Sequence, residues 1–255
     1  MSRNFDLLRN LGKDLDMLEY APAIDRREVA PAVTPSQPTK PRELDMDPGQ
    51  RDELTKLVQR VFLSGGPESA RVVTFCGLGL GGDSGWICSR TAEILSSLVA
   101  GSVVVVDANL REPGLHRHFG VEEAGSGLTN ALQQNDPINS LVRRIHENLW
   151  LLSCGDQAEE WTSLLGSDRT RARIQELRAD FDYVLIDAPA VNPGNDVIAL
   201  GKSSEGVVMV LKANESRKEV ARKAVAEFSN AGVKVLGAVL NNRTFPIPDK
   251  IYRRL

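Results

Sequence analysis

Three stretches of this chain carry residues able to act on a phosphate or a bound cation. The first is Gly77-Leu78-Gly79-Leu80-Gly81-Gly82-Asp83-Ser84-Gly85-Trp86, which follows an apolar run at 71–76. A glycine-rich turn between a strand and a helix lets backbone N–H groups approach an anion at the positive end of the helix. Gly77 and Gly82 have the spacing of a P-loop, G-x-x-x-x-G-K-[ST], in which the lysine reaches the β- and γ-phosphates and the hydroxyl binds Mg²⁺. Here the next two residues are Asp83 and Ser84, so the hydroxyl is present and an acid stands in the lysine position. No lysine occurs between Lys56 and Lys202, which predicts that no ammonium near the loop replaces it. Arg90, a turn into the following helix, is not expected to substitute. The loop also fits G-x-G-x-x-G through Gly77, Gly79 and Gly82, the pyrophosphate turn of a dinucleotide fold, with Asp107 near the place of a ribose-binding acid. A tight turn that binds nothing remains a third reading.

The second stretch is Val103-Val104-Val105-Val106-Asp107-Ala108-Asn109-Leu110-Arg111. An aspartate at the end of a buried strand can hold Mg²⁺ or orient a nucleophile. Arg111, four residues on, can reach a phosphate or a neighbouring carboxylate. The third is Tyr183-Val184-Leu185-Ile186-Asp187-Ala188-Pro189, aliphatics followed by an acid, a Walker B pattern in which Asp187 would serve Mg²⁺ or the attacking group.

These acids need a scaffold that brings them to one edge. Apolar runs at 71–76, 102–106, 149–152, 183–186, 207–211 and 235–240 alternate with helical patterns near 86–99, 125–134, 168–179, 196–203 and 216–231. Val-, Ile- and Leu-rich runs without polar alternation predict strands buried on both faces. Their alternation with helices predicts a doubly wound, mostly parallel α/β sheet. In such a sheet the ligand crevice lies at the carboxyl ends of the strands, where Asp107 and Asp187 fall. Residues 1–20 read as an amphipathic helix with Phe5, Leu8, Leu11, Leu15 and Leu18 on one stripe. Residues 21–50, with six prolines, read as an extended linker. The folded domain is expected over 51–243, opening with a helix at 51–63, and 244–255 forms a tail.

The 255 residues, 42% hydrophobic and 25% charged, suffice for a core without disulfides or metals. Cys76, Cys88 and Cys154 are expected to be buried reduced thiols, and His116 with His118 lacks partners at metal-ligand spacing. A net charge of -3 argues against nucleic-acid binding. No run reaches transmembrane length, and the first residues lack a signal-peptide core, so a cytoplasmic location is expected.

The segment from Val103 to Gly120 resembles the Walker A′ motif of the bacterial tyrosine kinases of capsule and exopolysaccharide assembly: aliphatics, D-x-D-x-R, then P-x-x-H-x-x-F-G. Asn109 stands in place of the second acid. The resemblance extends through Ser126-Gly127-Leu128-Thr129, Ser163 to Ser167, the I-D-x-P of Asp187 and Pro189, Asp196, and Val235 to Asn241. It covers roughly 51–243 and implies a MinD/ParA-like, P-loop NTPase-like fold. It further implies catalytic roles for Asp107, Arg111 and Asp187, with Mg²⁺ on the two aspartates. ATP would lie on Gly77, Gly79, Gly81, Gly82, Ser84 and Gly85, with its adenine at Asn241. The expected partners are a membrane polysaccharide co-polymerase or a kinase paralogue, which would recruit the chain to the inner membrane face, or further copies of itself. The missing lysine, Asn109, and a tyrosine cluster reduced to Tyr252 predict weak or absent ATP·Mg²⁺ binding and little turnover. Three functions follow: an impaired regulatory or scaffolding partner, an active ATPase or tyrosine kinase with an unusual loop, and a dinucleotide-binding enzyme.

Overall fold

A computed structural model describes residues 46–66, 69–79, 83–122, 125–134, 137–156, 164–191 and 196–242. The expected N-terminal helix, the linker up to residue 45, the tail, and Gly81 and Gly82 lie outside these residues.

Helix α1 spans Pro48–Val58 and continues as a π-helical turn, Gln59–Leu63. It starts three residues before the expected position. Asp47 accepts from the Gln50 amide at 3.0 Å, and the Gln50 side chain accepts from the Asp47 amide at 3.2 Å, a complete capping box. Pro48, read from sequence as linker, occupies the first helical turn, where its missing N–H costs nothing.

The chain then runs β1 (Val72–Leu78), α2 (Ser84–Leu98), β2 (Val103–Asp107), the single turn α3 (Leu115–His118) and α4 (Leu128–Gln133). It continues through β3 (Arg143–His146), β4 (Leu149–Leu152), α5 (Asp168–Asp180), β5 (Tyr183–Val191), α6 (Asp196–Lys202), β6 (Gly206–Lys212), α7 (Lys218–Asn230) and β7 (Val235–Asn241). The seven strands lie in the order β3-β4-β2-β5-β1-β6-β7. All neighbours are parallel except β3, which turns back on β4. β3 carries Arg143, Arg144 and His146, and this polar edge strand has no apolar run to announce it.

Alternate residues of each strand feed two cores. Val103 and Val105 face α1 and α2, with Leu54, Phe62, Ile87 and Leu95. Val104 and Val106 face α4 to α7, with Leu128, Leu177, Leu200 and Phe228. Strands β1, β2 and β5 sit in the middle and are covered on both sides. β7 corrects the expectation of full burial: it is an edge strand whose residues are half-buried or exposed, Leu240 among them.

β5 lies between β1 and β2, while β6 lies on the other side of β1. The direction of winding therefore reverses beside β1, and a crevice opens at the carboxyl ends of β1, β5 and β2.

Candidate nucleotide site

The register of β2 against β5 pairs Asp107 with Asp187. The two carboxylates thus stand side by side, Asp107 at the end of β2 and Asp187 midway along β5, which runs on to Val191, 1% and 3% exposed. One Asp107 oxygen accepts from the Gly114 and Leu115 amides, both at 3.0 Å, at the start of α3. Asp187 receives a hydrogen bond from the Ser84 hydroxyl at the start of α2. Burial, and then the charge of Asp107, push the Asp187 carboxyl well above the usual carboxylate range, against the smaller opposing pull of Ser84. The Asp187 Oδ1 atom is buried without a hydrogen-bond partner among the described residues.

Ser84 and Gly85 bring α2 against this pair. A Cβ on Gly85 would sit 3.1 Å from Asp187 Oδ2 and 3.5 Å from His118 Nε2, so a glycine permits the approach. His118 was not singled out from sequence as a site residue, because the histidine that fits the P-x-x-H spacing is His116. It is half-buried beside the loop, and burial, then Arg90 and Arg117, hold its imidazole below the usual histidine range against the opposing pull of Asp83.

Arg90 is buried on α2, donates to the His118 carbonyl and pairs with Glu93 at 2.6 Å. It therefore fixes the end of α3 and does not point into the crevice as a free cation, in line with the sequence expectation. Arg111 lies 3.7 Å from Asp196, the first residue of α6, which is buried at the same edge. Of its two readings, a phosphate or a neighbouring carboxylate, the structure displays the carboxylate.

The loop begins with Gly77 inside β1 and Gly79 at φ +88, a left-handed backbone that favours glycine. It ends at Asp83, the residue before α2. An aspartate there usually caps its own helix, yet the Asp83 carboxylate makes no capping bond. It turns instead to the tip of β7, accepting from Asn241 Nδ2 at 2.9 Å and from Asn242 Nδ2 at 3.2 Å. Asn241, expected at an adenine, is thus engaged by the acid in the lysine position. Lys212, at the end of β6, pairs in register with Asn241 and feels the charge of Asp83. Proximity along the chain could not reveal this ammonium, because the sheet brings it to the loop from 129 positions further on, 212 less 83.

Two carboxylates, one with a free oxygen, and a hydroxyl form a hard oxygen donor set suited to Mg²⁺ with water or phosphate completing the shell. No group of three His, Cys, Asp or Glu side chains able to hold a metal occurs among the described residues. Cys76, Cys88 and Cys154 are buried and outside any disulfide among the described residues.

Comparison with known proteins identifies the relatives. No protein-family model matches the sequence. Over 156 residues, 61% of this chain and 68% of the relative, it is 29% identical to the putative tyrosine-protein kinase CapB of Staphylococcus aureus. Over 142 residues, 55% of this chain and 60% of the relative, it is 30% identical to the tyrosine-protein kinase YwqD of Bacillus subtilis. The homologues of this chain are bacterial tyrosine-protein kinases. The crystal structure of the chimerical protein CapA2B2 superposes with a TM-score of 0.71 at 21% identity, covering 80% of this chain and 88% of that one. Other solved tyrosine kinase domains, together with MinD and ParA ATPases, share the fold. The doubly wound, mostly parallel sheet expected from the strand and helix pattern, and the P-loop NTPase-like architecture that the resemblance implied, are therefore the ones present. Among the described residues no helix is long and apolar enough to cross a membrane.

Proposed function

We propose that this chain is a catalytically impaired counterpart of its kinase homologues, acting as a regulatory or scaffolding partner in capsule or exopolysaccharide assembly. The observation that carries this reading is the Asp83 carboxylate in the lysine position, hydrogen-bonded to Asn241 and Asn242. A P-loop lysine stabilises the charge that develops on the transferred phosphoryl group. Removing one such electrostatic contact commonly costs about a hundred- to a thousandfold in rate. An acid at that point also repels the β- and γ-phosphates, so ground-state binding weakens as well.

The chain would work in the cytoplasm, held at the inner membrane face by a membrane polysaccharide co-polymerase or by an active kinase paralogue, or in an assembly of its own copies. ATP and Mg²⁺ are its weakly held ligands. Asp107, Asp187 and Ser84 would hold the metal, Gly77, Gly79 and Gly85 with Gly81 and Gly82 would line the phosphates, and Arg111 would approach them from Asp196. An active ATPase or kinase is the second reading, favoured by the intact Asp107–Asp187 pair. Homology to kinases leaves the dinucleotide enzyme without support.

Calorimetric titration of the full chain with ATP and ADP, with and without Mg²⁺, tests the proposal alongside an autophosphorylation assay. Binding no tighter than millimolar and no phosphotyrosine are expected. Micromolar, Mg²⁺-dependent binding that Asp187→Ala abolishes, accompanied by phosphotyrosine, would establish the active reading instead.

A further inference from the structure

Asp83 is an aspartate at a helix start that does not cap its helix. Its Oδ2 atom accepts from two carboxamides at once, Asn241 at 2.9 Å and Asn242 at 3.2 Å. Asn242 adopts φ +55, a left-handed conformation that costs most residues energy and that asparagine tolerates best after glycine. Lys212 stands beside them. It pairs in register with Asn241 on β7. On the other side, β6 pairs Val210 with Gly77, the first glycine of the loop, and Lys212 lies two residues further along β6. Val210 faces the core under α2, and Lys212 shares that face by strand alternation. Its ammonium pairs with Glu215 at 2.8 Å and is raised above the usual lysine range, first by Glu215 and further by Asp83.

Two carboxamide N–H donors on one carboxylate, with an ammonium held by Glu215 near enough to feel its charge, are a donor set for an oxyanion. We infer that Asn241, Asn242 and Lys212 form an anion site at the mouth of the phosphate loop, and that Asp83 is its tethered occupant. The ligand class is a phosphoryl group, either the diphosphate of a nucleotide or free pyrophosphate. This inference rests on the reading of Asp83 above and adds where a phosphate would be held once that carboxylate is gone. An ammonium from β6 then takes the part that a loop lysine takes elsewhere, approaching from the neighbouring strand. It also predicts that the acid substitution is reversible: the site is filled by Asp83, not dismantled.

The test is calorimetric titration of the full chain with inorganic pyrophosphate, which carries no base, and separately with ADP. Asp83→Ser vacates the site. It is expected to bind pyrophosphate at least about tenfold more tightly than the wild type, the size of one charge-assisted hydrogen bond. Removing any negative charge from the loop would give some gain, so two further variants separate the causes. Asn242→Gly keeps the left-handed turn and removes one carboxamide without changing charge, and Lys212→Met removes the ammonium. Each, placed on Asp83→Ser, should return the affinity to within about threefold of the wild type. Thermal melts of all variants confirm that they fold. A tenfold gain that survives both additions, or no gain in folded Asp83→Ser, overturns the anion site. A gain with ADP but none with pyrophosphate also overturns it, since the contact would then be with the nucleoside. Tight Mg²⁺·ATP binding by the wild type with autophosphorylation would instead overturn the impaired-kinase reading, whatever the variants do.

Discussion

Replacing Asp187 by asparagine should stabilise the metal-free protein, and by an amount that grows with pH. Asp187 is 3% exposed, lies beside Asp107 in strand register, and has one oxygen without a partner among the described residues. Burial and the Asp107 charge raise its pKa well above the ordinary value. The folded state therefore holds this proton more tightly than the unfolded chain does. Its contribution to stability is complete at pH values below the unfolded carboxylate value and is lost as pH rises towards the raised folded value. Within that window each pH unit removes about 1.4 kcal/mol from the wild type. Asparagine has nearly the same shape and no proton to lose, so its stability lacks this slope. Between about pH 5 and about pH 6 the gap between Asp187→Asn and wild type should widen by about 1.4 kcal/mol, or roughly 3–6 °C in Tm for a domain of this size. Differential scanning calorimetry in the presence of EDTA at several pH values measures it directly. A gap that stays constant, or closes as pH rises, would refute the placement of Asp187 as a buried acid with a raised pKa.

Two other perturbations read different parts of the structure. Gly127 opens α4, and a Cβ there would meet the Ser153 carbonyl and lie 2.6 Å from the Gly155 amide, both backbone atoms that cannot rotate away. Gly127→Ala should cost about 3 kcal/mol, seen as a lower urea midpoint with an unchanged slope. Arg90→Met strips the partner from Glu93, whose side chain is 15% exposed and whose pKa is already raised by burial to about 7 against the opposing pull of Arg90. The variant should lose about 3 kcal/mol at alkaline pH. Because an acid with a raised pKa stabilises the fold on the acidic side, the loss should shrink as pH falls and Glu93 takes up a proton. A loss independent of pH would assign the damage to packing alone.

The central sheet was legible because β1, β2, β5 and β6 are runs of aliphatics, and a run without polar alternation has few other uses in a folded chain. The Asp107–Asp187 pair was legible for the same reason: both acids end such runs, and parallel strands place their ends together. β3 was not, since an antiparallel edge strand of Arg143, Arg144 and His146 needs only one apolar face and its partner β4. The start of α1 was obscured by proline. Pro48 follows five others in the preceding stretch, and only the Asp47–Gln50 capping box distinguishes a helix start from linker. The contacts of Asp83 were beyond reach because they join residues 158 apart, and no local pattern encodes which loop meets which strand tip.

That long-range contact explains how an acid can occupy a position that usually needs a base. An unliganded active site of this type holds two mismatches: carboxylates without a cation, and donors without an anion. Here each mismatch has an internal answer. The raised pKa of Asp187 favours a proton where Mg²⁺ would otherwise neutralise the pair. Asp83 supplies the anion to Asn241 and Asn242, with Lys212 nearby. On the proposed reading an entering nucleotide would have to displace the carboxylate and, with its metal, the proton, so its affinity would be reduced by the free energy of both internal pairings. On that ground Asp83→Ser and Asp187 deprotonation at higher pH should each strengthen Mg²⁺·ADP binding, and because Ser84 beside Asp83 bonds Asp187 and both meet the same ligand, their effects should couple rather than multiply.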